Sequence, residues 1–405
     1  MGDIRFIHTA DLHLGSPFTG MKGLKKEHWQ RLKESTFAAF DRLIDYALTE
    51  RPDFILIAGD VYDGEDRSIR AQHRFQQGME RLAETGIPVV LGYGNHDHLS
   101  GQWTRFELPE NVHVFDRSVS QKLIKTANGN VIITGFSYGE RHVKEPMINQ
   151  FPPAEQTGAL YIGMLHGSMD GETAHAVYAP FTKQQLLDKN YDYWALGHIH
   201  MRQELHQGPS IVYPGNIQGR HKNEGGAKGF YDVRLSKSET QLNFVPASVI
   251  QFDRLDVDCQ GILHMNELID ACKNHAEDFF SRYGAAIVEL KLTHLDAGAA
   301  ELIEGITQEE LIETVHEALE ELHGWIWVLS IDIELMQEAY GTSPLAEKVI
   351  EVMDSWQLAD WKNALKDLYR HPKGSRFLEA LDDSETAEIQ AAAVQKIRRS
   401  IRMEG

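Results

Sequence analysis

The chain has only two cysteines in 405 residues, Cys259 and Cys272, and no CxxC spacing. A disulfide framework and a cysteine-bound zinc are therefore not expected. Long apolar runs are also missing; those present are short and interrupted, well under the roughly 20 residues that a membrane span needs. The opening MGDIRFIHTADLH has no basic stretch leading into an apolar one, so no secretory signal is expected. MGDIRF also lacks the Ser or Thr at its sixth position that a myristoylation signal would show. These absences predict a cytoplasmic protein with no membrane partner. Positive charge is scarce too: 40 basic residues against 60 acidic ones leave a formal net charge of −20. That argues against a general nucleic-acid binder, whose footprint is a basic surface. It leaves room for a nuclease, because metal ions can hold the scissile phosphate while a partner holds the duplex.

What is present reads as globular. A hydrophobic share of 42% and a charged share of 25% exclude wholesale disorder, and the length predicts two or three domains. Five β-rich runs occupy the first half: IRFIH (4–8), DFILIAG (53–59), IPVVLGYG (87–94), LYIGML (160–165) and YWALG (193–197). Each is continuous rather than alternating, which suits strands covered on both faces. Helical patterns such as EHWQRLKESTFAAFDRLIDYALTE and SIRAQHRFQQGMERLAETG lie between them. Each run is followed at once by metal-capable groups: Asp11 and His13, Asp60 and Asp63, Asn95 to Asp97, His166, then His198 and His200. Ligands of α/β sheets collect at the carboxyl ends of the strands, so five polar exits are expected to converge on one spot.

From about residue 250 the texture changes. FDRLDVD, LHMNELIDACKNHAEDFFSRYG, AAIVELKLTHL, QEELIETVHEALEELHG and WIWVLSIDIEL read as β-α-β-α-β, a small α+β domain over 250–340. Residues 341–405 read as helical: Ser343 caps, Pro344 fits the first helical position, and Leu345, Val349, Val352 and Trp356 mark one apolar face. HPKG at 371–374 divides this helix from a later one ending QKIRRSIRMEG. Residues 1–245 form the expected catalytic domain.

Written out, the exits are DLH (11–13), GDVYD (59–63), GNHD (94–97), LHG (165–167) and GHIH (197–200). In this order they resemble the calcineurin-like metallophosphoesterases over residues 4–220. TADLHLGSPF, YPGN at 213–216 and the C-terminal extension resemble the SbcD-type DNA-repair nuclease subunits, nearest to a YhaO-like branch. The resemblance implies a four-layered α-β-β-α sandwich and two divalent metal ions. One ion would be held by Asp11, His13, Asp60 and His200, the other by Asp60, Asn95, His166 and His198. Mixed oxygen and imidazole donors favour Mn²⁺, Fe²⁺ or Zn²⁺ over Mg²⁺, and Mn²⁺ is the first expectation. Two cations about 3.5–4 Å apart suit in-line phosphoryl displacement.

The resemblance also implies that His96 meets the leaving-group oxygen. Asp97 is expected to orient its imidazole, and Gly94 to let the backbone turn sharply out of its strand. Some related nucleases carry a second substrate-facing His where this chain has Asp63, so two-His assistance is in question and Asp63 is expected to tune the site or bind a ligand His. Arg220, His221 and Lys222, in the basic GRHKNEGGAK (219–228), are candidate phosphate contacts, with a solvated loop as the alternative. Tyr138 and Arg141 are lesser candidates. His8, His73, His98, His113 and His175 read as surface or packing residues. The implied function is a metal-dependent DNA phosphodiesterase in repair, with an SbcC-type coiled-coil ATPase gripped by C-terminal helices; a homodimer is left open. The alternatives are a phosphoesterase for a small or non-nucleic substrate, and a non-enzymatic scaffold.

Overall fold

A strand with apolar side chains at every position needs cover on both faces, and the computed structural model of the chain gives it that. It describes residues 2–335 apart from 19, 20, 22, 65–67, 101–105, 157, 171–177, 296–298, 300, 301, 304 and 321–324. Beyond 335 it describes 348, 349, 351, 352, 355–369, 386, 387, 389, 390 and 393. The expectations for Ser343, Pro344, Leu345, HPKG and the terminal QKIRRSIRMEG lie outside these residues, as does His175.

In chain order the first elements are β1 (Ile4–Thr9), α1 (Lys26–Glu50), β2 (Phe54–Ala58), α2 (Ile69–Glu84), β3 (Val89–Gly92) and β4 (Val112–Val114). There follow β5 (Ser120–Thr126), β6 (Gly129–Gly135), β7 (Leu160–His166), α3 (Lys183–Leu187) and β8 (Tyr193–Gly197). Then come β9 (Gln203–Gln207), β10 (Ser210–Tyr213), β11 (Gly229–Leu235) and β12 (Thr240–Pro246). One six-stranded sheet runs β12-β11-β1-β2-β3-β4 and a second runs β5-β6-β7-β8-β10-β9. In the first, β1 to β4 are parallel. In the second, β6, β7, β8 and β10 are parallel.

Alternation along β2 sorts the layers. Phe54, Leu56 and Ala58 meet Val131, Ile133, Leu160, Ile162, Met164 and Tyr193 of the other sheet in a shared core. Ile55 and Ile57 point the other way, onto Phe40, Leu43 and Ile44 of α1 and Phe75, Met79 and Leu82 of α2. The outer face of the second sheet, with Tyr161, Trp194 and Leu196, is covered by Ile148, Phe151, Phe181 and Leu186. Each fully buried Leu, Ile or Phe contributes about 1.5–3 kcal/mol, and the result is the expected α-β-β-α sandwich. Ser68 begins α2 by accepting the Ala71 N–H, a cap that helices favour.

Contacts divide the chain into two units, one comprising 1–257, 269–291 and 306–332, the other 258–268, 292–305 and 333–405. After β12 come β13 (Gln251–Asp258), α4 (Met265–Tyr283), β14 (Ala286–Leu295), α5 (Gln308–Leu319) and β15 (Ile326–Leu335). They follow the β-α-β-α-β order, with the strands in one sheet β13-β14-β15. In the first unit, Ile250, Phe252, Ala285, Ile287, Trp325 and Trp327 share a core with Phe18 and Leu32. In the second, α6 (Leu358–Tyr369) buries Trp361 against the ring of Trp356, while Val352, Trp356 and Leu358 remain exposed.

Candidate metal centre

The loops leaving β1, β2, β3, β7 and β8 carry the five polar exits, and they are knitted together before any side chain is considered. The loops after β1 and β2 stay paired: Asp11 N–H bonds to Gly59 O at 3.1 Å, and His13 N–H to Asp60 O at 3.0 Å. Asp97 ties the next two loops, its Oδ1 accepting Gly94 N–H at 2.6 Å and its Oδ2 accepting Val61 N–H at 2.7 Å. Asp11 accepts the His198 N–H on both oxygens, at 3.1 Å each. Asp11, His13, Asp60 and His198 all hold left-handed backbone, with φ of 51°, 43°, 50° and 98°. For residues with a Cβ such conformations cost about 1–3 kcal/mol each and cluster at functional sites. The bonds between loops hold them.

Two glycines make the approach close enough. A Cβ on Gly59 would lie 2.1 Å from His166 Nδ1; one on Gly94 would lie 2.3 Å from Asp60 Oδ1 and 2.7 Å from His166 Nε2. Gly94 is not in left-handed backbone. Its role is close approach, not the sharp turn expected from the sequence.

The donor atoms gather as the motifs suggested. Asp11, His13 and His200 form one group within 4.8 Å; Asp11, Asp60 and His166 form another; His13, Asp63 and His96 form a third. His13 Nε2 faces His200 Nε2 at 3.0 Å. His166 Nε2 lies 2.9 Å from Asn95 Oδ1 and 3.4 Å from Asp60 Oδ2. His198 Nδ1 is 3.2 Å from the same Asn95 oxygen. Asp11, His13, Asp60, Asn95 and His166 are buried. His13 Nδ1 is buried with no hydrogen-bond partner among the described residues, and Asp63 Oδ1 lies 3.7 Å from it.

The charges in this pocket do not balance cheaply. Burial pushes the Asp11 carboxyl up to about 6, against the pull of His166 and His200. Burial would raise Asp60 as well, but the imidazoles of His166, His96 and His13 outweigh it and hold that carboxyl well below its usual range. His166 is the counterpart: burial disfavours its charge, yet Asp60 and Asp11 raise it to about 9. A proton on His166 therefore offsets two buried carboxylates; a divalent cation does so while leaving the imidazoles neutral to coordinate. Inward-facing nitrogens and carboxylate oxygens, with no thiolate, fit a pair of divalent metal ions.

His96 is 32% exposed at its side chain, where Asp11, His13, Asp60, Asn95 and His166 are buried and His198 and His200 are half-buried. Its Nδ1 lies 3.4 Å from Asp63 Oδ1. Burial opposes its charge, but Asp63 and Asp60 outweigh it and raise the imidazole above its ordinary value. The carboxylate of Asp63 stands beside the His96 imidazole, while that of Asp97 accepts two backbone N–H groups. Asp63 also accepts Ser16 Oγ–H at 2.7 Å and Arg220 Nη1–H at 3.2 Å.

The three candidates of the basic loop part company. Arg220 turns inward onto Asp63, His221 Nε2 sits 3.2 Å from Glu224, and the half-exposed Lys222 ammonium pairs with Glu289 at 3.3 Å. Glu224 is buried against His200 Nδ1 at 2.6 Å. Sequence reasoning passed over it; the signal was a lone acid in a basic run. Tyr138 is buried and donates to His166 O at 2.8 Å, whereas Arg141 is exposed. His8 is a packing residue, its Nδ1 3.0 Å from Tyr193 Oη and its Nε2 3.1 Å from Leu196 O.

The chain is similar to known proteins. The family model described as "Calcineurin-like phosphoesterase" matches residues 4–202. The uncharacterized metallophosphoesterase YhaO of Bacillus subtilis is 37% identical over 410 residues, covering 99% of this chain and 98% of that protein. A DNA double-strand break repair protein Mre11 of Methanocaldococcus jannaschii is 24% identical over 294 residues, covering 66% of this chain and 74% of that protein. The Mre11 of Thermoplasma acidophilum is 24% identical over 275 residues, covering 64% and 69% respectively. Among the described residues no helix is long and apolar enough to cross a membrane.

Proposed function

The chain belongs to the calcineurin-like phosphoesterase family, and from that premise we propose that it is a Mn²⁺-dependent DNA phosphodiesterase acting in repair in the cytoplasm. The observation that carries the reading is the pairing of a largely buried ring of N and O donors with a partly exposed imidazole, His96, at its edge. The DNA assignment draws on the relatives named DNA double-strand break repair protein Mre11.

Asp11, His13, Asp60 and His200 would hold one cation, and Asp60, Asn95, His166 and His198 the other. When bound, such a pair neutralises phosphate oxygens and lowers the pKa of water. The remaining work belongs to the chain. Asp63 engages Nδ1 of His96 and favours the cationic form of the ring. That leaves Nε2 to hand a proton to the departing oxygen, a contribution of about 10²–10⁴-fold. Fe²⁺ or Zn²⁺ would satisfy the same donors.

A net charge of −20 leaves little basic surface for a duplex, so an SbcC-type ATPase is the proposed source of that surface. In this scheme residues 1–245 are catalytic, 250–340 an accessory domain and 341–405 the partner-binding region. The test is digestion of linear DNA with and without Mn²⁺ and the ATPase. Cleavage that requires the metal, and falls in His96→Ala while the metal is retained, is expected. DNA left intact by the complex, with a small phosphodiester turned over instead, would falsify the DNA assignment.

A further inference from the structure

The segment YPGNIQGRHKNEGGAK (213–228) is basic in sequence, but a single carboxyl group organises it. Glu224 Oε1 lies 2.6 Å from His200 Nδ1, 3.2 Å from His221 Nε2 and 3.5 Å from Arg220 Nη2. Its Oε2 accepts from Asn216 Nδ2 at 2.8 Å and from the Arg220 backbone N–H at 2.7 Å. Every one of these neighbours is a nitrogen. Asn216 Nδ2, the Arg220 backbone N–H and the Arg220 guanidinium can only donate, and the cationic guanidinium beside it favours the ionised form, so the group is a carboxylate that accepts.

That fixes the tautomer of a neutral His200. An acceptor 2.6 Å from Nδ1 requires the hydrogen on Nδ1 and leaves the lone pair on Nε2, the atom that faces His13. Arg220 Nη2 also comes within 3.2 Å of His200 Nδ1. Two donors do not bond each other, so this is a neighbour contact; the guanidinium donates to Asp63 at 3.2 Å and pairs with Glu224 at 3.5 Å. The same segment holds the main chain: Lys228 Nζ donates to His200 O at 3.0 Å, and Asn216 N–H to the same oxygen at 3.4 Å.

We propose that Glu224 is a positioning residue of the metal centre: it holds His200 in the Nδ1-protonated tautomer with Nε2 presented to a divalent cation. Arg220 is a strut between Glu224 and Asp63, so one guanidinium links the carboxylates that hold His200 and His96. The inference rests on the reading of His200 as a ligand and is independent of what the substrate is.

Calorimetric titration of the metal-free chain with Mn²⁺ tests it. Glu224→Gln keeps the shape and removes the charge. One of two binding events should weaken about 10–100-fold, the usual loss when a partner behind a ligand His is removed. In a His200→Ala background the same change should weaken nothing further, since both act through one imidazole. Two ions bound with unchanged affinities, or losses that simply add in the double variant, would overturn it. Should Glu224→Gln not fold, ¹⁵N-histidine spectra of the natural chain decide, with His200 assigned by its loss in His200→Ala. The Nδ1–H form is expected and the Nε2–H form refutes. Intact DNA would sink the proposed substrate alone, and a chain that takes up no ion would sink the metal centre itself.

Discussion

Gly94→Ala is the sharpest probe of how the centre is assembled, because the added methyl has nowhere to go. It would stand 2.3 Å from Asp60 Oδ1, 2.7 Å from His166 Nε2 and 2.8 Å from His166 Cε1. Ordinary contact needs about 3.5–4.0 Å between carbons, so a neighbour must retreat by roughly 1 Å. Neither can do so freely. Asp60, itself in left-handed backbone, accepts the His96 N–H on Oδ1 at 3.0 Å. His166 Nδ1 is held by Ala58 O at 2.9 Å. Overpacking of this kind costs about 1–3 kcal/mol of stability, and a displacement of about 1 Å at reacting groups costs about 10²-fold in rate. Denaturant unfolding, Mn²⁺ titration and turnover of a small phosphodiester together read the effect. Gly158→Ala, which has no atom within 4 Å of its added Cβ, is the matched control and should stay within about 0.5 kcal/mol. A Gly94→Ala chain with natural stability, two ions at natural affinity and an undiminished rate would refute the geometry.

Asp63→Asn withdraws the group that raises the His96 imidazole, so the alkaline limb of the pH–rate profile should move to lower pH; an unmoved limb would mean that His96 is not the acid. His8 supplies a stability signature, because burial lowers its imidazole to about 3 from an ordinary value of 6.5. The unfolded chain then binds the proton first, so this contribution is complete above about 6.5 and is lost as pH falls towards 3, at up to about 1.4 kcal/mol per pH unit. Denaturant melts at pH 7.5 and 5 should differ by about 2 kcal/mol from this group, and His8→Leu should flatten the slope while lowering stability at both. Divalent ions should stabilise the fold, by about 2.7 kcal/mol at a free concentration 100 times the dissociation constant; a melting temperature that chelation leaves unmoved would argue against ions in the native site.

The sandwich was legible because its central strands advertise themselves. FILIA and YWALG have no polar alternation, and a polar group follows each at once, so strand and exit are read from adjacent residues. The edge strands were not. Ser120–Thr126 and Thr240–Pro246 are half in solvent, with few apolar positions, and only pairing with a distant neighbour makes them strands. The site divides similarly. Each of the five exits contributes a donor to neighbouring groups in one place, and their order in the chain announces it. What surrounds them depends on folding at long range. Asp63 stands beside His96 where Asp97, next to it in sequence, was expected. Glu224 reaches His200 across 24 residues, and its place as a lone acid in a basic run does not say which group it meets.

Three of the exits leave one sheet and two leave the other, so the donor atoms bridge the apolar layer in which Phe6, Phe54 and Leu56 meet Ile162, Met164 and Tyr193. That layer is the shim between two jaws. Thickening or thinning it with a larger or smaller side chain would change the gap the ligands must span, although none of those residues belongs to the donor clusters. Metal preference in this chain is thus open to tuning from its greasy middle, by substitutions that leave every coordinating residue in place.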